Sequence, residues 1–259
     1  MKAASKPTTR LCTHSTDAIT VRGADLVDEL IGELSFTEMT YFTITGRRPT
    51  RAQTRILDAV LVTLMEHGLT PSAIATRMIY GSTPESLQAG VSAGLLAVGS
   101  MFVGTMEGAS ALIERILAAP DRGGAARDIA DEYRSARRPI PGFGHHMHKP
   151  DDPRTPKLFA LAESEGVLGR HIAALRTLSG AVDERFGKHI TINATGAVGA
   201  LLGEIGIPAP IMRGIAVISR SAGLVAHIAE EQQTPSMRYI WELVEEGVPY
   251  DAEPDKTGD

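Results

Sequence analysis

"PIPGFGHHMHKPDDPRTPK", residues 139–157, packs three histidines, two lysines and one arginine between prolines and glycines. As residues alone, the stretch admits a metal site, an anion site, an acid/base site or a solvated loop. His145, His146 and His148 offer imidazoles. A stable metal site, however, takes about three or four ligands fixed by rigid elements, and Asp151 and Asp152 flank Pro153 as turn formers do. Gly142 and Gly144 around Phe143 let backbone N–H groups approach a ligand closely. Lys149 and Arg154 add positive charge, and arginine binds carboxylates in a two-pronged way. An anionic small molecule handled by a proton-transferring histidine fits this chemistry. A plain loop fits it as well.

Outward from this stretch, the chain is punctuated for helices. Thr70-Pro71, Thr83-Pro84, Thr155-Pro156 and Thr234-Pro235 each join a capping threonine to a proline suited to a first helical turn. Ser35-x-x-Glu38 and Thr50-x-x-Gln53 read as capping boxes. Leu26, Leu30, Ile31 and Leu34 follow helical spacing, as do Ile56, Val60, Leu64 and Met65. Gly46, Gly68 and Gly81 stand where those helices should stop. No alternating β-branched run and no hairpin signal stands out. The fold expected is all-α or nearly so. Residues 89–99 (AGVSAGLLAVG) and 194–203 (ATGAVGALLG) are rich in small side chains, which suits a deeply buried helix or one meeting a second subunit. The Pro/Gly-rich basic segment 134–155 lies between two helical blocks, the natural place for a hinge or an active-site loop.

The 259 residues, 43% apolar, suffice for one large domain or two modest ones. A net charge of −5 argues against a nucleic-acid partner. Cys12 is the only cysteine, so no intrachain disulfide forms. The opening MKAASKPTTR has no apolar run of a signal peptide, and charges interrupt every candidate for a membrane span of roughly 20 apolar residues. The expectation is a cytoplasmic globular protein with no membrane partner.

The loop resembles a signature of the citrate synthase superfamily: Pro141, Gly142-Phe143-Gly144-His145, Lys149 and Asp152-Pro153-Arg154. Residues 21–50 resemble the family's Arg-Gly, Ser-Phe-x-Glu and Gly-x-x-Pro-Thr opening, and 64–77 its first histidine segment. Residues 206–231 resemble its closing helix, with Arg220 before a small-residue turn and His227 in an Ala-His pair. The short chain and Glu66-His67-Gly68 are more similar to citryl-CoA lyases and the C-terminal lyase portion of ATP-citrate lyase. The resemblance implies an all-α, citrate synthase-like fold. It places residues 1–118 and 213–259 in a large domain and 119–212 in a smaller one, with the active site in the cleft between. It also implies a homodimer or higher homo-oligomer with no metal and no permanently bound cofactor, acting on a CoA thioester and a 2-oxo acid.

By the same resemblance, His145 takes the hydroxyl proton of citryl-CoA as the molecule splits into acetyl-CoA and oxaloacetate. Arg154, Arg220 and His67 meet the acyl carboxylates, Lys149 meets CoA phosphate, and the backbone of Pro141, Gly142, Phe143 and Gly144 receives adenine. His14, His171, His189 and His227 read as surface or packing residues. Two departures matter. The family's catalytic aspartate falls at Thr195, within Asn193-Ala194-Thr195, and its enolate-stabilising histidine falls at Met106, before Glu107-Gly108. The second loss points toward a lyase. The first leaves the acetyl carbon without an obvious proton donor; Glu107 is the candidate substitute, and Asn193 a candidate partner for the thioester oxygen. A related branched hydroxyacyl-CoA as substrate, or a non-catalytic acyl-CoA-binding role, are the alternatives.

Overall fold

The computed structural model describes residues 6–99, 101 and 104–251. It is mostly helical. The helices are α1 (Phe36–Thr45), α2 (Arg51–Met65), α3 (Pro71–Ser82), α4 (Leu87–Leu96), α5 (Thr105–Ala118) and α6 (Arg122–Ser135). They continue as α7 (Arg154–Ser164), α8 (Arg170–Phe186), α9 (Ala194–Glu204), α10 (Met212–Gln233) and α11 (Met237–Gly247). Packing divides the chain into two compact units, one of residues 1–63 and 100–215, the other of 64–99 and 216–259.

The first unit opens on a feature the sequence reading overlooked, which corrects the absence of hairpins. Three antiparallel strands, β1 (Cys12–His14), β2 (Ile19–Val21) and β3 (Ala24–Asp25), pair in chain order. β2 turns into β3 through Arg22 (φ 52°) and Gly23 (φ 89°), the left-handed pair that a tight hairpin requires. Strands of two or three residues are too short to display an alternating pattern, so no periodicity marked them. Val21, Ala24, Leu30 and Phe42 form the small core beneath this sheet.

Both capping boxes are present. Ser35 caps α1 reciprocally with Glu38, and Thr50 and Gln53 exchange N–H···O bonds at 2.9 and 3.2 Å. Of the Thr-Pro pairs, only Thr70 precedes its helix, and there without a side-chain bond. Thr83 closes α3 instead, Thr155-Pro156 lies inside α7, and Ser236 rather than Thr234 precedes α11. Gly46 ends α1 in the left-handed conformation as expected, but Gly81 lies within α3, where a Cβ would press on Met237.

The main core of the first unit is built from α5, α6, α8 and α9, with Ile113, Ile116, Ile129, Leu175, Leu178, Leu201 and Leu202 fully enclosed. The small-residue helix α9 is buried along almost its whole length, and Gly199 lets it approach the α5 backbone at Met106 and Ser110. In the second unit, α4 uses Gly90 and Gly94 to lie against Thr76, Tyr80, Leu224 and Ile228. The stretch Ala209–Gln233 is long and apolar enough, by length and composition, to cross a membrane, although Arg213, Arg220, Glu230 and Glu231 interrupt it. Half of its most apolar window is buried inside the protein, as in a core helix.

Candidate active site

In the first unit the signature loop pairs with residues 189–195. Gly144 N–H donates to Thr191 O at 2.8 Å and Asn193 N–H to Gly142 O at 3.0 Å, so the two segments pair like strands at Phe143 and Ile192. Gly142 has φ +85°, and a Cβ there would stand 2.8 Å from both Ala109 Cβ and Gly196 Cα. Backbone therefore packs on backbone at this point. Glycine is needed at 142 for its conformation as much as for space.

His145 follows, half-buried. Its Nδ1 accepts the N–H groups of Met147 at 3.2 Å and His148 at 3.0 Å. A ring nitrogen that accepts hydrogen bonds carries no proton, so the neutral ring holds its proton on Nε2. The rings of His146 and His148 both stack on it, with centroids 4.7 and 4.3 Å away. Burial, then the charge of His148, lower the His145 pKa, opposed by Asp152 and helped by His146 and Arg154. The ring is thus neutral over more of the physiological range than a free histidine. Lys149 and His146 are exposed.

Arg154 opens α7 and is bound at once to Asp152, with Nε 2.9 Å from Oδ1 and Nη2 2.8 Å from Oδ2. Asp152 is fully buried and accepts further N–H bonds from Arg154 and Ala194. Against the cost of burial, these partners draw its pKa down to about 2. Pro141 lies against Gly108, where a Cβ would meet it at 2.8 Å.

Asn193 is fully engaged within the fold. Its Oδ1 accepts from Gly196 N–H at 3.1 Å, capping α9, and its Nδ2 donates to Gly144 O at 2.9 Å. Thr195 donates to Asn193 Oδ1 at 2.7 Å, and its hydroxyl lies 2.7 Å from that of Thr105. Glu107, in the first turn of α5, sits 2.6 Å from Arg213 Nη2. It is therefore ion-paired.

In the second unit His67 is exposed just beyond α2, and its backbone N–H donates to Glu66 Oε1 at 2.7 Å. Arg220 is buried on α10. Among the described residues its Nη1 has no hydrogen-bond partner, and its nearest counter-charge, Glu66 Oε2, is 3.9 Å away. Burial lowers its pKa while Glu66 resists. A buried guanidinium left incompletely paired is costly.

The family description "Citrate synthase, C-terminal domain" matches residues 8–240. The chain belongs to the citrate synthase family. These are enzymes acting on CoA thioesters and oxo acids. Among solved structures, the citryl-CoA lyase of Hydrogenobacter thermophilus is 32% identical, with a TM-score of 0.85 and 97% of both chains covered. A Methanosaeta concilii ATP citrate lyase solved with (3S)-citryl-CoA is 18% identical, with a TM-score of 0.77 over 97% of this chain and 43% of that one. At that identity the second likeness shows the fold alone. The citrate synthase of Heyndrickxia coagulans is 28% identical over 203 residues, 78% of this chain and 53% of its own. The chain thus spans about half the length of the curated citrate synthases it matches.

Three residues do structural work that the sequence did not assign to them: Asp152 as the buried clamp on Arg154, Thr105 as the partner of Thr195, and Glu66 beside Arg220. Asp152 could have been found from its place two residues before an arginine, where a side chain can cap a helix start and grip the guanidinium together. Thr105 and Glu66 meet their partners only through tertiary packing, and no local signal announces them.

Proposed function

We propose that this chain is a CoA-dependent carbon–carbon lyase that cleaves citryl-CoA to acetyl-CoA and oxaloacetate. The observation that carries the reading is the His145 ring, fixed by two backbone N–H groups on Nδ1 and so left with Nε2–H as its working atom. Cleavage breaks the bond between the carbinol carbon and the methylene beside the thioester. The electron pair passes to the thioester as an enolate, and the hydroxyl oxygen, giving up its proton to the Glu107 carboxylate, becomes the ketone. A neutral imidazole N–H aimed at that oxygen stabilises the charge it carries on the way. This refines the expected role. Taking the hydroxyl proton at Nε2 would first require moving the ring's own proton to Nδ1, against two donors already there.

In this reading Arg154 and Arg220 each receive a carboxylate of the acyl group, and His67 assists. Asp152 positions Arg154, and the bidentate grip leaves the guanidinium's remaining N–H groups for substrate. Lys149 and the 141–144 backbone receive the CoA nucleotide. Asn193 and Thr195 shape the floor beneath the thioester, and Glu107, held by Arg213, passes the proton taken from the hydroxyl on to the enolate carbon. CoA enters as part of the substrate, with no permanent cofactor. The division into 1–118, 119–212 and 213–259, and a homo-oligomer working in the cytoplasm, belong to the same proposal. The exposed Tyr239, Trp241, Leu243 and Val244 on α11 support assembly.

Citryl-CoA is preferred among substrates because the end-to-end likeness is to a citryl-CoA lyase of matching length. A related branched hydroxyacyl-CoA is the second reading, favoured by Thr195 standing where the family's carboxylate would be. The test is to incubate the purified chain with citryl-CoA and, separately, with other branched 3-hydroxyacyl-CoA thioesters, following products by mass spectrometry. Acetyl-CoA and oxaloacetate from citryl-CoA alone support the first reading, and faster cleavage of another thioester supports the second. Binding of CoA without turnover of any thioester makes the chain a non-catalytic binder.

A further inference from the structure

The second unit holds a charge cluster that the proposed chemistry uses only in part. On α10, Arg220, Gly223 and His227 are spaced three and four residues apart and share one helix face. A side chain at Gly223 would run into the Met65 carbonyl, so the glycine lets the end of α2 lie along that face. The Glu66–Gly68 turn follows directly. Glu66 Oε1 accepts the N–H groups of His67 at 2.7 Å and Gly68 at 2.6 Å. Its other oxygen, Oε2, stands between the His227 ring and the Arg220 guanidinium, 3.0 Å from His227 Nε2 and 3.9 Å from Arg220 Nη1.

The His227 tautomer is set from behind. Arg77 Nε–H donates to His227 Nδ1 at 3.0 Å, which leaves the ring proton on Nε2, facing Glu66 though off the axis of the N–H bond. Arg77 is itself buried and fixed by Glu231 at 3.0 Å, by Glu230 and by Ser236. Glu66 Oε2 thus stands closer to His227 than to Arg220, whose Nη1 has no hydrogen-bond partner among the described residues.

We propose that His227 is a positioning residue for the anion site at Arg220: by holding Glu66 Oε2 it keeps that carboxylate from closing onto the guanidinium. The inference rests on the reading of Arg220 as a substrate-carboxylate site. The two carboxylates, Glu66 and the ligand's, compete for one cation. Glu66 lies only about 1 Å beyond the usual charge-assisted hydrogen-bond distance to Arg220. Released by His227, it would close that gap and fill the site from within.

The experiment is calorimetric titration of the full chain with oxaloacetate and with citrate, in wild type, His227→Ala, His227→Gln, Glu66→Gln and the double variant His227→Ala/Glu66→Gln. Glutamine at 66 keeps an acceptor for the His67 and Gly68 N–H groups and removes the competing charge. His227→Ala should weaken binding about tenfold, His227→Gln, which keeps a donor, far less, and Glu66→Gln should tighten it about threefold. The double variant should bind as tightly as Glu66→Gln. A merely structural role for His227 would weaken binding whether or not Glu66 is charged, so a weak double variant overturns the proposal, as does unchanged binding in His227→Ala. If His227→Ala does not fold, Glu66→Gln alone decides, and unchanged or weaker binding overturns the proposal. Wild type that binds neither acid overturns the Arg220 reading itself, and the positioning role with it.

Discussion

Arg154 grips Asp152 through two nitrogens at 2.9 and 2.8 Å, and Asp152 has no exposed surface. Its depressed pKa means that the folded protein binds this proton less readily than the unfolded chain does. The stability so gained is complete above the ordinary carboxylate value of 3.8 and fades as pH falls toward about 2. The difference corresponds to about 2 kcal/mol. Asp152→Asn should lose roughly that much at pH 7, measured by urea unfolding, and should flatten the loss of stability on acidification below pH 4. A variant as stable as wild type at pH 7 contradicts this.

Gly196 lies in α9, where alanine would ordinarily favour the helix by about 1 kcal/mol. A Cβ there would, however, collide with the Gly142 carbonyl oxygen, which is backbone and cannot swing aside. Steric cost should win. Gly196→Ala is expected to be destabilised by about 1–3 kcal/mol and to push the 142–144 segment outward, lowering turnover as well. Thermal melts and steady-state rates check both, and a stabilised, fully active variant rules the contact unimportant.

His171 is buried at the start of α8, with Nδ1 3.3 Å from Glu204 and Nε2 3.0 Å from Glu114. It is the packing residue that the sequence allowed, and when protonated it pairs with both carboxylates. Hydrogen bonding to Glu204 leads the causes that raise its pKa above 6.5, against desolvation. The protonated ring therefore stabilises the fold fully below pH 6.5, and the contribution is lost as pH rises through the raised folded-state value. His171→Leu should remove that alkaline decline from a series of melts between pH 6 and 9. An identical decline in both proteins contradicts the assignment.

How legible this was depended on range along the chain. The capping boxes at Ser35 and Thr50 and the left-handed Gly46 are local devices of a few residues, and they read correctly. The buried α9 was legible as a run of small residues, though the reason for Gly196 is a backbone 54 positions upstream. The β1–β3 sheet escaped because its strands are too short for a period. At the site, the loop's residue types were legible and their protonation was not: the tautomer of His145 follows from two amides that fold back on it, and that of His227 from Arg77, 150 residues away. Glu107 read as a lone acid because Arg213, 106 residues on, gives no local sign of pairing with it.

The most direct test of the account is the steady-state rate of citryl-CoA cleavage by wild type and His145→Ala, with oxaloacetate release followed through a coupled reduction. If the fixed imidazole N–H stabilises the reacting oxygen, the substitution should lower kcat by about 10²–10⁴-fold, with the fold intact by circular dichroism. A His145→Ala protein that cleaves citryl-CoA at the wild-type rate would contradict it.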